Sequence, residues 1–172
     1  MIVLPLSGLI VLLVWITSPG PVLYWSDRVG RGNKLFRMPK FRTMRLGAPV
    51  VATHLLENPE EWVTPLGSFL RKTSLDELPQ LWCVLTGSMS LVGPRPALFN
   101  QQDLVDLRTR RGVHRLTPGL TGWAQVNGRD GNPLERKVAL DVVYLRNHGA
   151  CFDLLIVVRT LAGLFRPGGI SH

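Results

Sequence analysis

The sequence predicts an α+β fold, mostly helical, in which a broken, membrane-inserted helix leads into a short β-hairpin and then a series of short helices. Three observations carry this expectation. Residues 1–26 hold no charged side chain, and Ile2 to Ile16 is almost wholly apolar. Two short extended stretches flank Gly30-Arg31-Gly32-Asn33, a turn signal. From Thr64 onward, apolar residues recur at helical spacing behind capping residues and prolines.

The first run decides the cellular setting. A helix that crosses a bilayer needs about 20 apolar residues. Ile2 to Ile16 falls short, and Thr17-Ser18-Pro19-Gly20-Pro21 interrupts it. Val22, Leu23, Tyr24 and Trp25 resume the apolar character, with two aromatics suited to a membrane interface. A secretory signal peptide is disfavoured, because no basic region precedes the run and no A-x-A site follows it. Three readings stay open: a straight span, a buried core helix, and a helix bent at Ser18-Pro19 that enters and leaves on one side. Pro19 lacks a backbone donor, and Ser18 can satisfy freed carbonyls. Insertion with a break is preferred over a straight span. The core helix ranks last, since no polar face meets water. The bases that follow, Arg28, Arg31, Lys34, Arg37, Lys40, Arg42 and Arg45, make this end cytoplasmic by the positive-inside rule. Several of them fit an apron for lipid headgroups equally well. Residues 1–25 are thus expected to form a membrane helix, and residues 26–172 one integrated cytoplasmic region.

A hairpin from about Val22 to Met44 follows. Alternation in Lys40-Phe41-Arg42 puts both bases on one face and Phe41 on the other. Leu46 to Trp62 is broken up by Gly47, Pro49, Asn58 and Pro59. Thr64-Pro65 is a cap with proline at the first helical position, and the helix carries Leu66, Phe69 and Leu70 to Arg71. A second helix is expected to start between Ser74 and Asp76, because Pro79 is tolerable only in a first turn. It presents Leu78, Leu81, Trp82 and Leu85 on one face and stops at Gly87. Pro96 to Arg111 reads as an amphipathic helix, and Thr117-Pro118-Gly119 as a turn. Thr121 to Arg129 alternates like a strand ending in a polar loop. Leu134 to Arg146 is helical, and Asp153 caps a last apolar helix, Leu154 to Phe165, that suits either the core or a bilayer surface.

The charge is +8, from 20 basic and 12 acidic residues, which implies an anionic partner: nucleic acid, an anionic membrane or a phosphorylated substrate. Cys83 and Cys151 form no C-x-x-C, which suits a reducing compartment. The chemistry concentrates in R-K-T-S-L-D-E-L-P-Q-L-W-C-V-L-T-G-S-M-S-L-V-G-P-R-P, from Arg71 to Pro96. Adjacent carboxylates, Asp76 and Glu77, stand at an expected helix start, whose free N–H groups suit phosphate. Arg71 and Lys72 precede them, and Arg95 follows between two prolines. This set suits a metal-bound phosphate ester. Ser74-x-x-Glu77 is also a capping box, but that reading leaves Asp76, the flanking bases and Gly93-Pro94-Arg95-Pro96 without a purpose.

Several motifs, taken together and in order, carry a resemblance. They are Ser18-Pro19, K-F-R-T-M (Lys40 to Met44), S-L-D-E-L-P-Q (Ser74 to Gln80) and S-L-V-G-P-R-P (Ser90 to Pro96). T-P-G-L-T-G-W-A-Q-V-N-G-R (Thr117 to Arg129) and D-V-V-Y-L-R-N-H (Asp141 to His148) complete the set. Over nearly its whole length the chain resembles the bacterial sugar transferases, small monotopic phosphoglycosyl transferases that begin glycoconjugate assembly. The resemblance implies a re-entrant membrane helix, amphipathic helices lying at the membrane surface, and an active site on the cytoplasmic face of the bacterial inner membrane. It also implies transfer of a phosphosugar from a UDP-sugar to polyprenyl phosphate, with release of UMP and with Mg²⁺ as cofactor. Two features depart from the family pattern. No basic residue precedes the apolar run, which leaves room for a longer N-terminus, and Gly149 follows Asn147-His148 where serine is usual.

Both substrates are anions that repel each other, and a carboxylate nucleophile separates their encounters. Asp76 is expected to attack the sugar-linked phosphorus, and Glu77 to hold Mg²⁺ on the diphosphate. Arg71 and Arg95 are expected to clamp phosphate oxygens. Lys40 and Arg42 are assigned to the acceptor phosphate. Gln125, Asn127 and Arg129 are assigned to the nucleotide, evenly balanced against a polar loop that satisfies its own backbone. Membrane phospholipid is an expected partner, and a homodimer is left open. Two other classes compete. A tethered nucleic-acid binder is disfavoured, because no aromatics interleave the basic runs, and no nucleic acid is expected. A non-catalytic lipid-binding scaffold has no use for Asp76-Glu77.

Overall fold

The structure is a computed structural model that describes residues 3–49, 59–128 and 133–164. Its architecture is mixed α and β. Helix α1 (Val3–Thr17) leads into strands β1 (Leu23–Val29) and β2 (Leu35–Phe41). Helices α2 (Pro59–Trp62), α3 (Pro65–Lys72) and α4 (Leu81–Leu85) follow, then β3 (Ser90–Val92) and β4 (Ala97–Leu98). Helix α5 (Gln102–Arg110), strand β5 (Gly119–Thr121) and helices α6 (Trp123–Val126), α7 (Leu134–Asn147) and α8 (Ala150–Leu164) complete the order. One sheet runs β2-β1-β4, and β3 and β5 form a parallel pair in register Ser90 with Gly119 and Val92 with Thr121.

The contacts divide the chain into two compact units, residues 3–26 with 38–81, and residues 27–37 with 82–164. In the first unit, the sequence of α1 buries one narrow stripe. Ile10 and Val14, four residues apart, pack with Phe41 and Leu70, and Leu6, Val22, Leu23, Leu66, Leu75 and Leu78 surround them. Leu9, Leu12, Leu13, Trp15 and Ile16 of the same helix are exposed. No helix among the described residues is long and apolar enough to cross a membrane. The break at Ser18-Pro19 ends α1 rather than bending it midway: the helix stops at Thr17, and β1 begins at Leu23. Thr64 caps α3 as expected, its Oγ1 accepting from the Gly67 N–H at 2.9 Å, with Pro65 at the first position. Met44 bridges to Val63 in antiparallel sense, which pins the end of the hairpin strand beside α3.

The expected hairpin is present. Gly30 donates its N–H to the Lys34 carbonyl at 2.8 Å across a 3₁₀ turn, Arg31–Asn33, in which Gly32 and Asn33 take positive φ. In the second unit, Ala97 and Leu98 pair antiparallel with Val29 and Arg28. The stretch expected as one helix from Pro96 therefore begins as a strand, and α5 starts only at Gln102. Pro96 cannot donate, and Ala97 and Leu98 gain more from burial against β1 than from helical bonds. Two apolar clusters form this unit: Ala97, Leu104, Val105 and Val138, and Val92, Tyr144 and Ile156. The strand expected from Thr121 onward is instead the short helix α6, whose first turn closes on the Gly122 carbonyl, which accepts from the Gln125 and Val126 N–H groups at 3.0 and 3.1 Å. Helix α8 starts at Ala150, upstream of the expected Asp153 cap, which lies in its first turn.

Candidate functional site

The central carboxylates lie on a 3₁₀ segment, Leu75–Gln80, that passes directly into α4. The expected α-helix start at Ser74 to Asp76 is thus a tighter turn. Pro79 sits inside it, where 3₁₀ bonding reaches back only three residues and the missing N–H costs less. Ser74 is left-handed (φ 57°) and caps nothing with its side chain; its N–H goes to the Arg71 carbonyl at 3.1 Å. The capping box does not form. A six-residue 3₁₀ segment also carries little aligned dipole, and the charge around the two acids comes from side chains.

Those side chains converge in the first unit. Asp76 and Glu77 are 4% and 9% exposed. Lys40, near the end of β2, places Nζ 2.7 Å from Glu77 Oε1 and 4.0 Å from Asp76 Oδ2. One ammonium thus faces two adjacent, nearly dry carboxylates, where opposite charges offset a desolvation that neither acid would tolerate alone. Arg71, in the last turn of α3, donates from Nε to Thr43 Oγ1 at 2.9 Å. Burial lowers its guanidinium pKa, and the charge of Asp76 pulls in the opposite direction, which places the guanidinium within the field of that carboxylate.

Arg42 is placed differently from its sequence assignment. It is buried, and Nη2 donates to the Ser18 carbonyl at 2.5 Å, while Nε and Nη1 have no hydrogen-bond partner among the described residues. It anchors the end of α1. Gly20 (φ 109°) is needed there, because a Cβ would collide with Nη1 of Arg42.

Arg95, Gln125 and Asn127 belong to the second unit. Pro94-Arg95-Pro96 is held through all three carbonyls: Gly119 N–H donates to Pro94 (3.0 Å), Arg108 Nη1 to Arg95 (2.8 Å) and Arg28 Nη1 to Pro96 (3.2 Å). Gly93 and Gly119 pass so closely that a side chain on either would strike the opposite backbone. Gln125 Nε2 donates to the Leu120 carbonyl (3.2 Å) and Asn127 Nδ2 to the Trp123 carbonyl (2.8 Å). Each amide thus donates one hydrogen bond to a nearby backbone carbonyl. Arg129 lies outside the described residues.

The sequence reading missed the most buried ion pair among the described residues. Arg108 Nε and Nη2 both donate to Asp141 Oδ2, at 2.9 and 2.7 Å. Burial pushes the Asp141 carboxyl above its usual range, against the pull of Arg108 and Lys137. The signal was present: Val138, Asp141 and Tyr144, three apart, form the buried face of α7, and an acid on such a face requires a partner. Tyr144 in turn donates to Asp153 Oδ1 at 2.8 Å, and burial with that bond raises its phenol. Thr43 stands in the sequence only as part of K-F-R-T-M, which does not show that its Oγ1 accepts from Arg71.

Among the described residues no three His, Cys, Asp or Glu side chains gather as a metal cage. Mg²⁺ seldom needs one, since one or two carboxylates and substrate phosphates complete its octahedron. The hard oxygens of Asp76 and Glu77 fit that donor set.

The chain is similar to known proteins. The family model described as bacterial sugar transferase matches residues 1–167. The chain is 40% identical over 169 residues to the UDP-glucose:undecaprenyl-phosphate glucose-1-phosphate transferase of Escherichia coli, covering 94% of this chain and 36% of that protein. It is 36% identical over 162 residues to the UDP-N-acetylgalactosamine-undecaprenyl-phosphate N-acetylgalactosaminephosphotransferase of Aeromonas hydrophila, covering 91% of this chain and 38% of that protein. It is 38% identical over 172 residues to the exopolysaccharide production protein ExoY of Sinorhizobium fredii, covering 91% of this chain and 76% of that protein. The chain spans little more than a third of the first two relatives and about three quarters of the third. With a matching family model over almost its full length and close relatives over comparable spans, the chain belongs to the bacterial sugar transferase family.

Proposed function

We propose that this chain transfers a phosphosugar from a UDP-sugar to polyprenyl phosphate and releases UMP; its relatives are named as transferases of a sugar phosphate between a UDP-sugar and undecaprenyl phosphate. The observation that supports this best is the dry Asp76–Glu77 pair facing Lys40, with Arg71 close to Asp76. A scaffold or a lipid binder gains nothing from two adjacent buried acids. A phosphoryl transferase gains a nucleophile and a metal ligand.

An Asp76 carboxylate oxygen attacks the phosphorus next to the sugar. The P–O bond to the uridine phosphate breaks, and UMP leaves with that oxygen. The product on the enzyme is an acyl phosphate bearing the sugar. A phosphate oxygen of the polyprenyl acceptor then attacks the same phosphorus and frees Asp76. Two displacements keep the two anionic substrates apart. Burial strips water from the carboxylate, and Lys40 and Arg71 offset its charge and that of the incoming phosphate. Glu77 would hold Mg²⁺, which when bound withdraws charge from the diphosphate.

The acceptor's lipid tail asks for a membrane setting on the cytoplasmic face of the bacterial inner membrane. Helix α1 supports a membrane setting, with six large apolar side chains exposed among its described residues. A re-entrant insertion would put these side chains in contact with phospholipid.

The test is incubation of the purified protein with a panel of UDP-sugars and polyprenyl phosphate. With one sugar nucleotide, UMP and a lipid-linked phosphosugar should form in equal amounts. With the UDP-sugar alone, UMP should stop near one equivalent, and mass spectrometry should find the adduct on the Asp76 peptide. Asp76→Asn should abolish both. Product formation without burst or adduct would leave the transferase standing and reject Asp76 as nucleophile. No UMP with any sugar nucleotide would reject the transferase.

A further inference from the structure

We propose that Arg108 and Asp141 are positioning residues for Arg95, which fix the Pro94-Arg95-Pro96 turn so that the Arg95 guanidinium meets a phosphate in one geometry. This rests on the reading of Arg95 as a phosphate-binding residue. A turn flanked by two prolines has lost two backbone donors, so its carbonyls are the only groups by which most of it can be held. Each of the three has a separate donor, and the one on Arg95 itself comes from a side chain locked in a buried ion pair.

The geometry of that donor is specific. Two nitrogens of Arg108, Nε and Nη2, are spent on one oxygen of Asp141. The planar fork then leaves Nη1 aimed at the Arg95 carbonyl, at 2.8 Å. Asp141 is 1% exposed and sits on the buried face of α7 between Val138 and Tyr144. The chain of contacts therefore runs from a packed helix, through a rigid guanidinium, to the backbone of Arg95. A buried ion pair is weak support for stability, since apolar residues of like volume often replace one without loss. What the pair supplies here is the position of the third nitrogen. Preorganised donors bind phosphate with less loss of side-chain freedom, so freeing the Arg95 backbone should weaken phosphate binding without removing any charge from the turn.

The test replaces the pair while keeping the core: Arg108→Met combined with Asp141→Leu in the full chain. Thermal unfolding reports the fold, calorimetric titration with UDP reports phosphate binding, and ¹⁵N relaxation of the Arg95 Nε–H reports the order of the guanidinium. The expected result is an unfolding temperature near wild type, UDP bound about tenfold more weakly, and a more mobile Arg95 Nε–H. Arg95→Ala should weaken UDP to a similar degree, and adding the pair replacement to it should change the affinity less than twofold. If the apolar pair does not fold, Arg108→Lys, which keeps a charge on Asp141 but loses the fork, takes its place with the same expectations. Unchanged Arg95 order and unchanged UDP affinity in the pair variant would overturn the positioning role. So would an undiminished tenfold loss on top of Arg95→Ala, since the pair would then act elsewhere. Wild-type UDP affinity in Arg95→Ala would instead refute phosphate binding by Arg95, and the positioning proposal would fall with it, while UMP release remained a separate question.

Discussion

Removing the Lys40 ammonium exposes how much the carboxylate pair depends on it. Lys40→Met keeps the aliphatic stem and deletes the charge that lies 2.7 Å from Glu77 Oε1 and 4.0 Å from Asp76 Oδ2. The three side chains are 16%, 11% and 5% exposed, so water screens them little. At an effective dielectric constant of about 20, the gross attractions are roughly 6 and 4 kcal/mol. Desolvation of all three groups offsets most of that, and stranding buried partners costs about 3 to 5 kcal/mol in comparable cases. The lower end is the better expectation, because Arg71 stays within the field of Asp76. A loss of about 3 kcal/mol corresponds to roughly 6 to 12 °C in a chain of this size. The assay is thermal unfolding of the detergent-solubilised protein, alone and in a cycle with Glu77→Gln and Asp76→Asn. Glu77→Gln should restore the larger share of the loss, since Glu77 is the nearer partner. A Lys40→Met variant within 1 °C of wild type would refute the reasoning. Equal rescue by the two carboxamides would refute the ranking of the partners.

Glu77→Gln by itself should cut turnover by two orders of magnitude or more, roughly the cost of one strong charge-stabilising group, and should flatten the Mg²⁺ titration of UMP release; full activity with full Mg²⁺ dependence would make Glu77 structural only. Asp141 has a folded pKa raised by burial, so its contribution to stability is present in acid, below the ordinary carboxylate range, and is lost as pH rises through the raised value. Urea titrations across that window should show this slope in wild type and not in Asp141→Asn; identical slopes would exclude Asp141 as its source. A cysteine at Ser7, near the start of α1, should react only with reagents that reach the cytoplasm. Labelling of intact cells by an impermeant reagent would exclude the re-entrant topology.

The sequence by itself determined the family, the hairpin, the Thr64-Pro65 helix start and the residues worth testing. These rest on local rules: glycines and asparagine where φ is positive, a cap three residues before the N–H it accepts, apolar spacing along a helix. It also marked Asp76, Glu77 and the bases around them as a group, because adjacent acids among fixed cations are unusual in composition alone. Partnership was decided only by the tertiary structure. Nothing in Lys40-Phe41-Arg42 tells that Lys40 turns to Glu77 while Arg42 is buried against the Ser18 carbonyl, for that choice depends on where α1 ends. Ala97 and Leu98 became a strand because β1 offered an edge, and that edge is far away in sequence. Asp141 found Arg108 across 33 residues, and Arg95 acquired a hook that no local pattern announces. Periodicity and capping act over three or four residues and can be read along the chain. The pairing of buried charges is decided by desolvation, which depends on what the folded chain brings near, and so it is legible only in three dimensions.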